Sequence, residues 1–213
     1  EILYLNKPHI GSDNLKKVVK NMREFIRKEG GRVEFNAKLT DLTVQEGVLK
    51  SVEIEKDGKK EKIEVSALVL AIGHSARDTF EMLLSRGVEM TQKEFAVGVR
   101  IEHLQSAIGL AQYGKAYTRL PAADYKLVSH AHERSAFTFC MCPGGHVVAA
   151  ASEEGGIVTN GMSNADRDGE NANAALLVTV NPEEFPYEGT LGGMKWQREI
   201  EEKAYNVSGS YRA

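Results

Sequence analysis

Two cysteines separated by one residue form the first candidate reactive group. In the segment FCMCPGG, Cys140 and Cys142 lie on a predicted strand that ends at Pro143. Because side chains alternate along a strand, we expect both thiols on one face. One candidate role is a nucleophilic or redox-active thiol, which requires a lowered pKa. The alternative is two small buried hydrophobic side chains beside a turn.

A zinc site is a third interpretation of the same two thiols. His130 and His132 precede them, and a hairpin turn at residues 133–135 would bring all four side chains to one face. Two thiolates and two imidazoles suit tetrahedral zinc. No C-x-x-C spacing supports either the redox or the zinc interpretation.

Arg100 is the next candidate, because it lies within the apolar segment VGVRIE. A guanidinium in such surroundings needs a carboxylate partner, such as Glu102, or an anionic ligand. Loops between the predicted strands add small and polar residues that could contact a substrate. These substrate candidates are Gly144, Gly145, Asn160, Arg167 and Asp168. A solvated connection between strands is the alternative interpretation of the polar loop.

A strand that ends at a glycine is the last candidate. In SALVLAIGHSARD, the apolar run 67–72 ends at Gly73 and is followed by His74. Many α/β proteins hold a phosphate or a cofactor at such a junction. However, the chain contains neither G-x-G-x-x-G nor G-x-x-x-x-G-K-[ST], so a complete Rossmann domain is not expected. A buried strand followed by a tight turn is the alternative.

The segments around this junction predict the elements that would position it. Residues 12–31 have apolar side chains at helical spacing, which predicts an amphipathic helix that packs on a sheet. Three strands separated by turn signals at residues 46–47 and 57–58 predict an antiparallel meander. The run 67–72 is apolar on both faces, which predicts a central parallel strand. A second helix follows the glycine.

The second half of the chain has a different pattern. From residue 94 onward, short segments rich in β-formers alternate with turn residues, with one helix after the first strand and a polar helix near the end. We therefore expect an α/β fold of the α+β type with a division near residue 93. The two predicted units are residues 1–93 and residues 94–213.

Composition limits the class of protein. The 213 residues include 27 Lys and Arg against 30 Asp and Glu, a net charge of −3 without basic stripes, so no nucleic-acid partner is expected. The apolar runs are too short to span a membrane, so none is expected as a partner. Two cysteines do not make a secreted disulfide framework, which favours a cytoplasmic protein. The absence of an initial Met suggests a piece of a longer protein.

Several long blocks resemble one bacterial family. KPHIGSDNLKKVVKNMREFI, LVLAIGHSARDTFEML, FAVGVRIEH, LPAADYKL, FCMCPGG and EEGGIVTNGMS are similar to the FAD-dependent, NAD(FAD)-utilising dehydrogenases, which are two-dinucleotide-binding flavoproteins. Members carry a glycine-rich FAD motif upstream of this segment and a flavin segment downstream. The resemblance therefore implies a central fragment. Residues 1–93 would be a partial Rossmann-like FAD domain, and residues 94–213 a β-rich substrate or cap domain.

The resemblance also implies a function and its residues. The longer enzyme would transfer a hydride or electrons between a small-molecule substrate and FAD, with NAD(P)H as a candidate donor. Its partners would include the remaining segments of the parent flavoprotein, and the fragment alone would be inactive. The catalytic candidates are Cys140, Cys142 and Arg100, with no acid or base assigned. The residues implied to face FAD are Lys38, Leu39, Ala71, Ile72, Gly73 and His74. The alternatives are a non-catalytic ligand- or protein-binding module and a zinc-stabilised structural domain.

Overall fold

The first helix forms where the apolar spacing predicts it. In the computed structural model, which describes residues 9–130 and 134–211, α1 spans Ser12–Lys28. Its apolar side is exposed, with Phe25 63% accessible to solvent, so the prediction that it packs on a sheet is wrong. The helix meets the second half of the chain at its first turn instead, where the Ala165 amide donates to Asp13 Oδ1 (2.9 Å).

The predicted meander is confirmed. It consists of β1 (Ala37–Gln45), β2 (Val48–Lys56) and β3 (Lys59–Glu64), paired antiparallel in that order. The β1–β2 turn has positive φ at both central residues, 51° at Glu46 and 75° at Gly47. The backbone twist of such a two-residue turn matches the right-handed twist of the strands on either side of it.

A small apolar core joins the meander to the next helix. That helix, α2, spans Arg77–Ser85. Leu42 of β1, Val52 of β2 and Leu83 of α2 are buried against one another. The helix predicted after the glycine is therefore confirmed, and it lies on one face of the meander.

The run 67–72 is not a strand, which corrects the prediction of a central parallel strand. Val69 is 88% exposed, and no backbone hydrogen bond joins residues 67–75 to other described residues. A strand forms only beside another strand that satisfies its backbone groups. The neighbouring meander pairs only within itself, so the described chain offers this apolar segment no partner.

A four-stranded antiparallel sheet organises the second half, with the order β4-β9-β6-β5. Its strands are β4 (Phe95–Leu104), β5 (Val128–Ser129), β6 (Ala136–Cys142) and β9 (Asn171–Val180). The strand β9 lies between β4 and β6, and its small residues 172–175 are buried. Helix α3 (Gln105–Tyr113) follows β4 and continues into a 3-10 helix over Gly114–Arg119.

A hairpin and a long helix complete the fold. The strands β7 (Gly145–Ala149) and β8 (Thr159–Ser163) form a two-stranded antiparallel sheet. After a short 3-10 helix at Pro182–Glu184, α4 spans Gly192–Ser208. The whole is an α+β fold, as predicted. Within residues 9–130 and 134–211, no helix is long and apolar enough to cross a membrane.

Aromatic packing attaches α4 to the large sheet. The Phe95 and Phe185 rings stack with centroids 5.1 Å apart, and the Trp196 ring lies 5.8 Å from each. Because Phe95 begins β4 and Trp196 lies on α4, this cluster fixes the helix beside the first strand of the sheet.

Candidate functional site

The site is a cleft of about 620 Å³ between the β4–β9 sheet, the β7–β8 hairpin and α4. Its wall is mainly apolar, and its polar side chains come from three separate parts of the chain. The apolar lining includes Val97, Val147, Ile157, Val158, Leu177 and Ile200. The charged or titratable lining residues are His74, Arg100, Glu102 and Glu201. The volume suits a small organic molecule.

The predicted cofactor loop reaches this cleft through His74. Gly73 has a φ of 68°, which a residue with a side chain rarely adopts, and a Cβ placed there would meet nothing within 4 Å. The backbone at Gly73 is therefore open to a ligand. The His74 ring is exposed, and its Nε2 lies 3.1 Å from Ser75 Oγ.

A buried ion-pair network connects this loop to α4. Arg77, at the start of α2, donates through Nη2 to Glu201 Oε1 (2.7 Å) and through Nη1 to Glu201 Oε2 (2.9 Å) and to Glu153. Arg198 donates through Nη2 to Glu153 Oε1 (2.9 Å). This hydrogen bond from Arg198, together with Arg77, lowers the pKa of Glu153 to about 2. The network holds the glycine loop beside the cleft wall.

Arg100 projects from β4 into the cleft, but it has no carboxylate partner. Its Nη1 donates to Asn173 Oδ1 (2.7 Å) and to the carbonyl oxygen of Cys140 (3.2 Å). The ion pair with Glu102, one of the two sequence-based expectations, does not form among the described residues. Glu102 instead accepts hydrogen bonds from the Val147 amide (3.1 Å) and from Asn171 Nδ2 (2.8 Å).

Gly161 provides the space in which this cluster assembles. A Cβ there would lie 2.2 Å from Asn173 Oδ1, 2.5 Å from Arg100 Nη1 and 2.7 Å from Cys142 Sγ. Three polar side chains from β4, β9 and β6 thus meet over one glycine of β8. We call these three residues, Arg100, Asn173 and Cys142, the arginine cluster.

The two cysteines do not share a face of β6, which corrects that prediction. Phe139 pairs with Ala175 and Cys142 with Asn173, so a bulge inserts an extra residue between them. Cys140 has a φ of 46°, in the left-handed region, and is exposed. The bulge therefore puts Cys142 on the face of Phe139 and turns Cys140 away from it.

The surroundings of Cys142 favour its neutral thiol over the thiolate. Burial raises the pKa of the Cys142 thiol, while Arg100 and Arg167 act in the opposite direction. Its Sγ donates to the carbonyl oxygen of Cys140 (3.3 Å). The geometry thus favours a small, half-buried side chain at Cys142 over an activated thiolate.

The comparison with known proteins identifies the family of the chain. Residues 94–213 match the family described as "FAD-dependent protein, C-terminal domain-like". The chain belongs to this family. A protein of Clostridium beijerinckii described as uncharacterised is 52% identical over 218 residues, an alignment that includes all of this chain. The chain spans 40% of the length of that curated relative.

Four of the five predicted substrate residues, Gly144, Gly145, Arg167 and Asp168, lie close together in the structure. The Gly144–Gly145 turn packs on the loop that carries Arg167 and Asp168, and a Cβ on Gly144 would lie 1.9 Å from the Arg167 carbonyl oxygen. Asn160 lies elsewhere, because the alternation along β8 puts it on the exposed face opposite Thr159 and Gly161.

Two of the predicted cofactor residues, Lys38 and Leu39, lie on the first strand of the meander. Lys38 of β1 forms an ion pair with Asp78 of α2, which brings the start of β1 next to the helix that follows Gly73. Leu39 packs against the small core, Ala71 is exposed, and Ile72 is half-buried.

The described residues do not form the zinc site considered above. Among residues 9–130 and 134–211, no group of three or more His, Cys, Asp and Glu side chains could hold a metal ion. His130 Nδ1 is hydrogen-bonded to Ser135 Oγ (2.6 Å). His132, the other proposed ligand, lies outside the described residues.

The sequence analysis missed the residues that hold the site together. Asn173 and Gly161 were not singled out, although a glycine inside a strand signals a close approach of other groups. Arg77, Glu153 and Glu201 were also missed. Their separation along the chain leaves no local pattern by which the network could be recognised.

Proposed function

We propose that this chain is part of an FAD-dependent oxidoreductase that transfers a hydride or electrons between a small substrate and flavin. Membership of an FAD-dependent family supports the link to FAD. One structural observation carries the proposal further. The cleft is lined both by His74, which belongs to the predicted cofactor loop, and by Arg100, a predicted catalytic residue.

The residues at the glycine loop fit a flavin cofactor. The loop is exposed, its glycine is in the left-handed region, and the backbone groups of residues 67–75 make no hydrogen bonds within the described chain. Unsatisfied backbone groups next to a residue without a side chain are suited to close contact with a ligand. We propose that Ala71, Ile72, Gly73 and His74 contact the flavin there, and that Lys38 and Leu39 lie on its adenine side.

The proposed division of labour follows from the cleft. FAD supplies reversible hydride and electron transfer when bound. Arg100 would hold and orient an anionic group of the substrate, and the apolar wall would exclude water from it. His74 would close the side of the cleft nearest the cofactor loop. The ion pairs of Arg77 with Glu153 and Glu201 would hold that loop and α4 in a fixed position relative to each other.

The exposed apolar surface supports the view that other segments complete the enzyme. Val69 and Phe25 are exposed in two different segments of the first half. Large apolar side chains exposed in groups typically mark an interface. We propose that residues 1–93 join the rest of an FAD domain, that residues 94–213 form the substrate or cap domain, and that the protein is cytoplasmic.

The deciding experiment uses the full-length Clostridium beijerinckii relative beside this chain. We expect the relative to purify with a flavin absorption spectrum that NADH or NADPH bleaches without oxygen. A colourless relative that cannot be loaded with FAD would overturn the proposal and favour a non-catalytic binding module. A flavin that neither nucleotide bleaches would remove NAD(P)H as the donor.

The chain alone provides the complementary measurement. Because it contains no glycine-rich pyrophosphate motif, we expect it to bind FAD weakly, with a Kd well above micromolar in a fluorescence titration. Micromolar binding would contradict the assignment of the chain as an incomplete FAD site. Zinc at one equivalent per chain, in protein purified without chelator, would support the zinc-stabilised domain.

A further inference from the structure

The positive charge of Arg100 is not matched inside the cleft. Its Nη1 bonds go to two uncharged carbonyl oxygens, and its Nε is buried without a hydrogen-bond partner among the described residues. Arg100 is half-buried, and a guanidinium partly removed from water without an anionic partner is costly. This arrangement is therefore suited to a ligand that supplies the missing anion.

The two carboxylates that line the cleft, Glu102 and Glu201, are already engaged. Glu102 accepts hydrogen bonds from the Val147 amide and Asn171, and Glu201 is paired with Arg77. Neither forms an ion pair with Arg100. The cleft therefore presents one guanidinium whose charge is available to a ligand.

A second unmatched guanidinium lies close to the same place. Arg167 forms no ion pair with another described residue, and its Nε is buried without a partner. Its backbone packs against Gly144, two residues after Cys142, and its charge acts on the Cys142 thiol as that of Arg100 does. Cys142 and Arg167 do not line the cleft, but the two cations that act on this half-buried thiol make the region next to Arg100 electropositive.

We propose that the cleft binds a small organic acid, with its carboxylate on Arg100 and its apolar body against Val147, Ile157 and Leu177. The planar guanidinium matches a carboxylate in geometry as well as charge. The mainly apolar wall matches a hydrocarbon body, and the volume of about 620 Å³ suits a small molecule. This assignment rests on the proposed function, because it names the substrate class of the same site.

The experiment measures ligand binding by the chain itself, without flavin. The probes are hexanoate and benzoate, with hexanamide and benzamide as uncharged analogues of the same shape and inorganic phosphate as a different oxyanion. Calorimetric titration and the shift of the unfolding temperature are the two readouts. We expect the acids to bind and the amides not to.

Substitutions then locate the site. Loss of a charge-assisted hydrogen bond in R100Q should weaken acid binding about tenfold to hundredfold, and R167Q should weaken it less. R100K keeps the positive charge but loses the planar guanidinium that matches a carboxylate, so it should bind the acids with intermediate affinity. The control is R119Q, at an exposed arginine on the 3-10 helix outside the cleft, which should bind as the unmodified chain does. Circular dichroism of each variant verifies that it is folded.

Several results would overturn the proposal. These are acid binding that R100Q leaves unchanged, equal binding of acids and amides, binding of phosphate but not of acids, and no binding of any probe. Because flavin loading is measured separately on the full-length relative, the two proposals fail separately. A yellow relative without acid binding refutes only the substrate class, and acid binding with a colourless relative refutes only the flavoenzyme.

Discussion

Arg77 and Glu201 form a two-point ion pair between the start of α2 and the middle of α4. The two N–O distances are 2.7 and 2.9 Å, and the Arg77 side chain is fully buried. A parallel pair of hydrogen bonds fixes orientation as well as distance. This pair therefore determines how the helix after the glycine loop lies against the helix that forms one wall of the cleft.

We expect Arg77→Ala to be strongly destabilising. The substitution leaves Glu201 without its cation and Glu153 with Arg198 alone, and loss of one partner from a buried ion pair costs up to about 3 to 5 kcal/mol in the free energy of unfolding. Urea unfolding of the chain measures the loss. The control is Lys203→Ala, which removes an exposed pair with Glu199 on the same helix and should change stability little. A loss no larger than that of the control would show that the network does not stabilise the fold.

The same network predicts a loss of stability in acid. The pKa of Glu153 is about 2 in the folded chain, against 4.5 ordinarily, because Arg198 and Arg77 hydrogen-bond its charged form. A lowered carboxyl pKa contributes stability above the ordinary value, and that contribution is lost as the pH falls towards 2. With a side chain 31% exposed, we expect Glu153 to contribute about 1 to 3 kcal/mol.

The measurement is the free energy of unfolding in urea from pH 7 to pH 3. In Glu153→Gln the decline below pH 5 should be shallower than in the unmodified chain, because one group that takes up a proton on unfolding is gone. Glu154→Gln, at the exposed neighbouring position, is the matched control and should keep the original slope. Parallel curves for the unmodified chain and both variants would refute the assignment.

The two cysteines should react at different rates. Cys140 is exposed on the bulge, whereas Cys142 is half-buried and burial raises its pKa. The thiolate is the reactive form, so iodoacetamide at pH 7.5 should modify Cys140 first. Mass spectrometry of peptides from timed samples gives both rates, and the chain unfolded in urea is the control in which the difference should disappear. Faster modification of Cys142 would indicate an activated thiol and would support the prediction that Cys142 is catalytic.

The sequence predicts the elements of this fold well where the signal is local. The meander was predicted because residues 46–47 and 57–58 specify tight turns, and α1 and α2 because their apolar spacing is helical. Pairing between distant segments carries no such signal. The run 67–72 has the composition of a buried strand, but the described residues supply no neighbouring strand, so it forms no regular element and is largely exposed.

The candidate site was predicted only in part, for the same reason. Arg100 was recognised because a cation is conspicuous in an apolar strand. Its partner Asn173 is 73 residues away, so nothing near either residue indicates the contact. The two thiols were assigned to one face because strict alternation was assumed. A single left-handed residue at Cys140 breaks that alternation, and only the register of β6 against β9 reveals it.

The arginine cluster depends on the missing side chain of Gly161. In Gly161→Ala the new Cβ would lie 2.2 Å from Asn173 Oδ1 and 2.5 Å from Arg100 Nη1, so the hydrogen bond between those residues must be displaced. The backbone itself tolerates alanine, because Gly161 does not have a positive φ. We expect a loss of about 1 to 3 kcal/mol in unfolding free energy, together with weaker binding of hexanoate.

Gly156→Ala separates this effect from a general intolerance of alanine. Gly156 is buried and, like the half-buried Gly161, has no positive φ. The atom nearest to a new Cβ there, Glu201 Cβ, is 3.4 Å away, which is an ordinary contact. Urea unfolding and calorimetric titration with hexanoate are compared for the two variants. If Gly161→Ala matches Gly156→Ala in both measurements, the cluster can shift without cost. Arg100 would then not be held in the fixed orientation that recognition of a carboxylate requires.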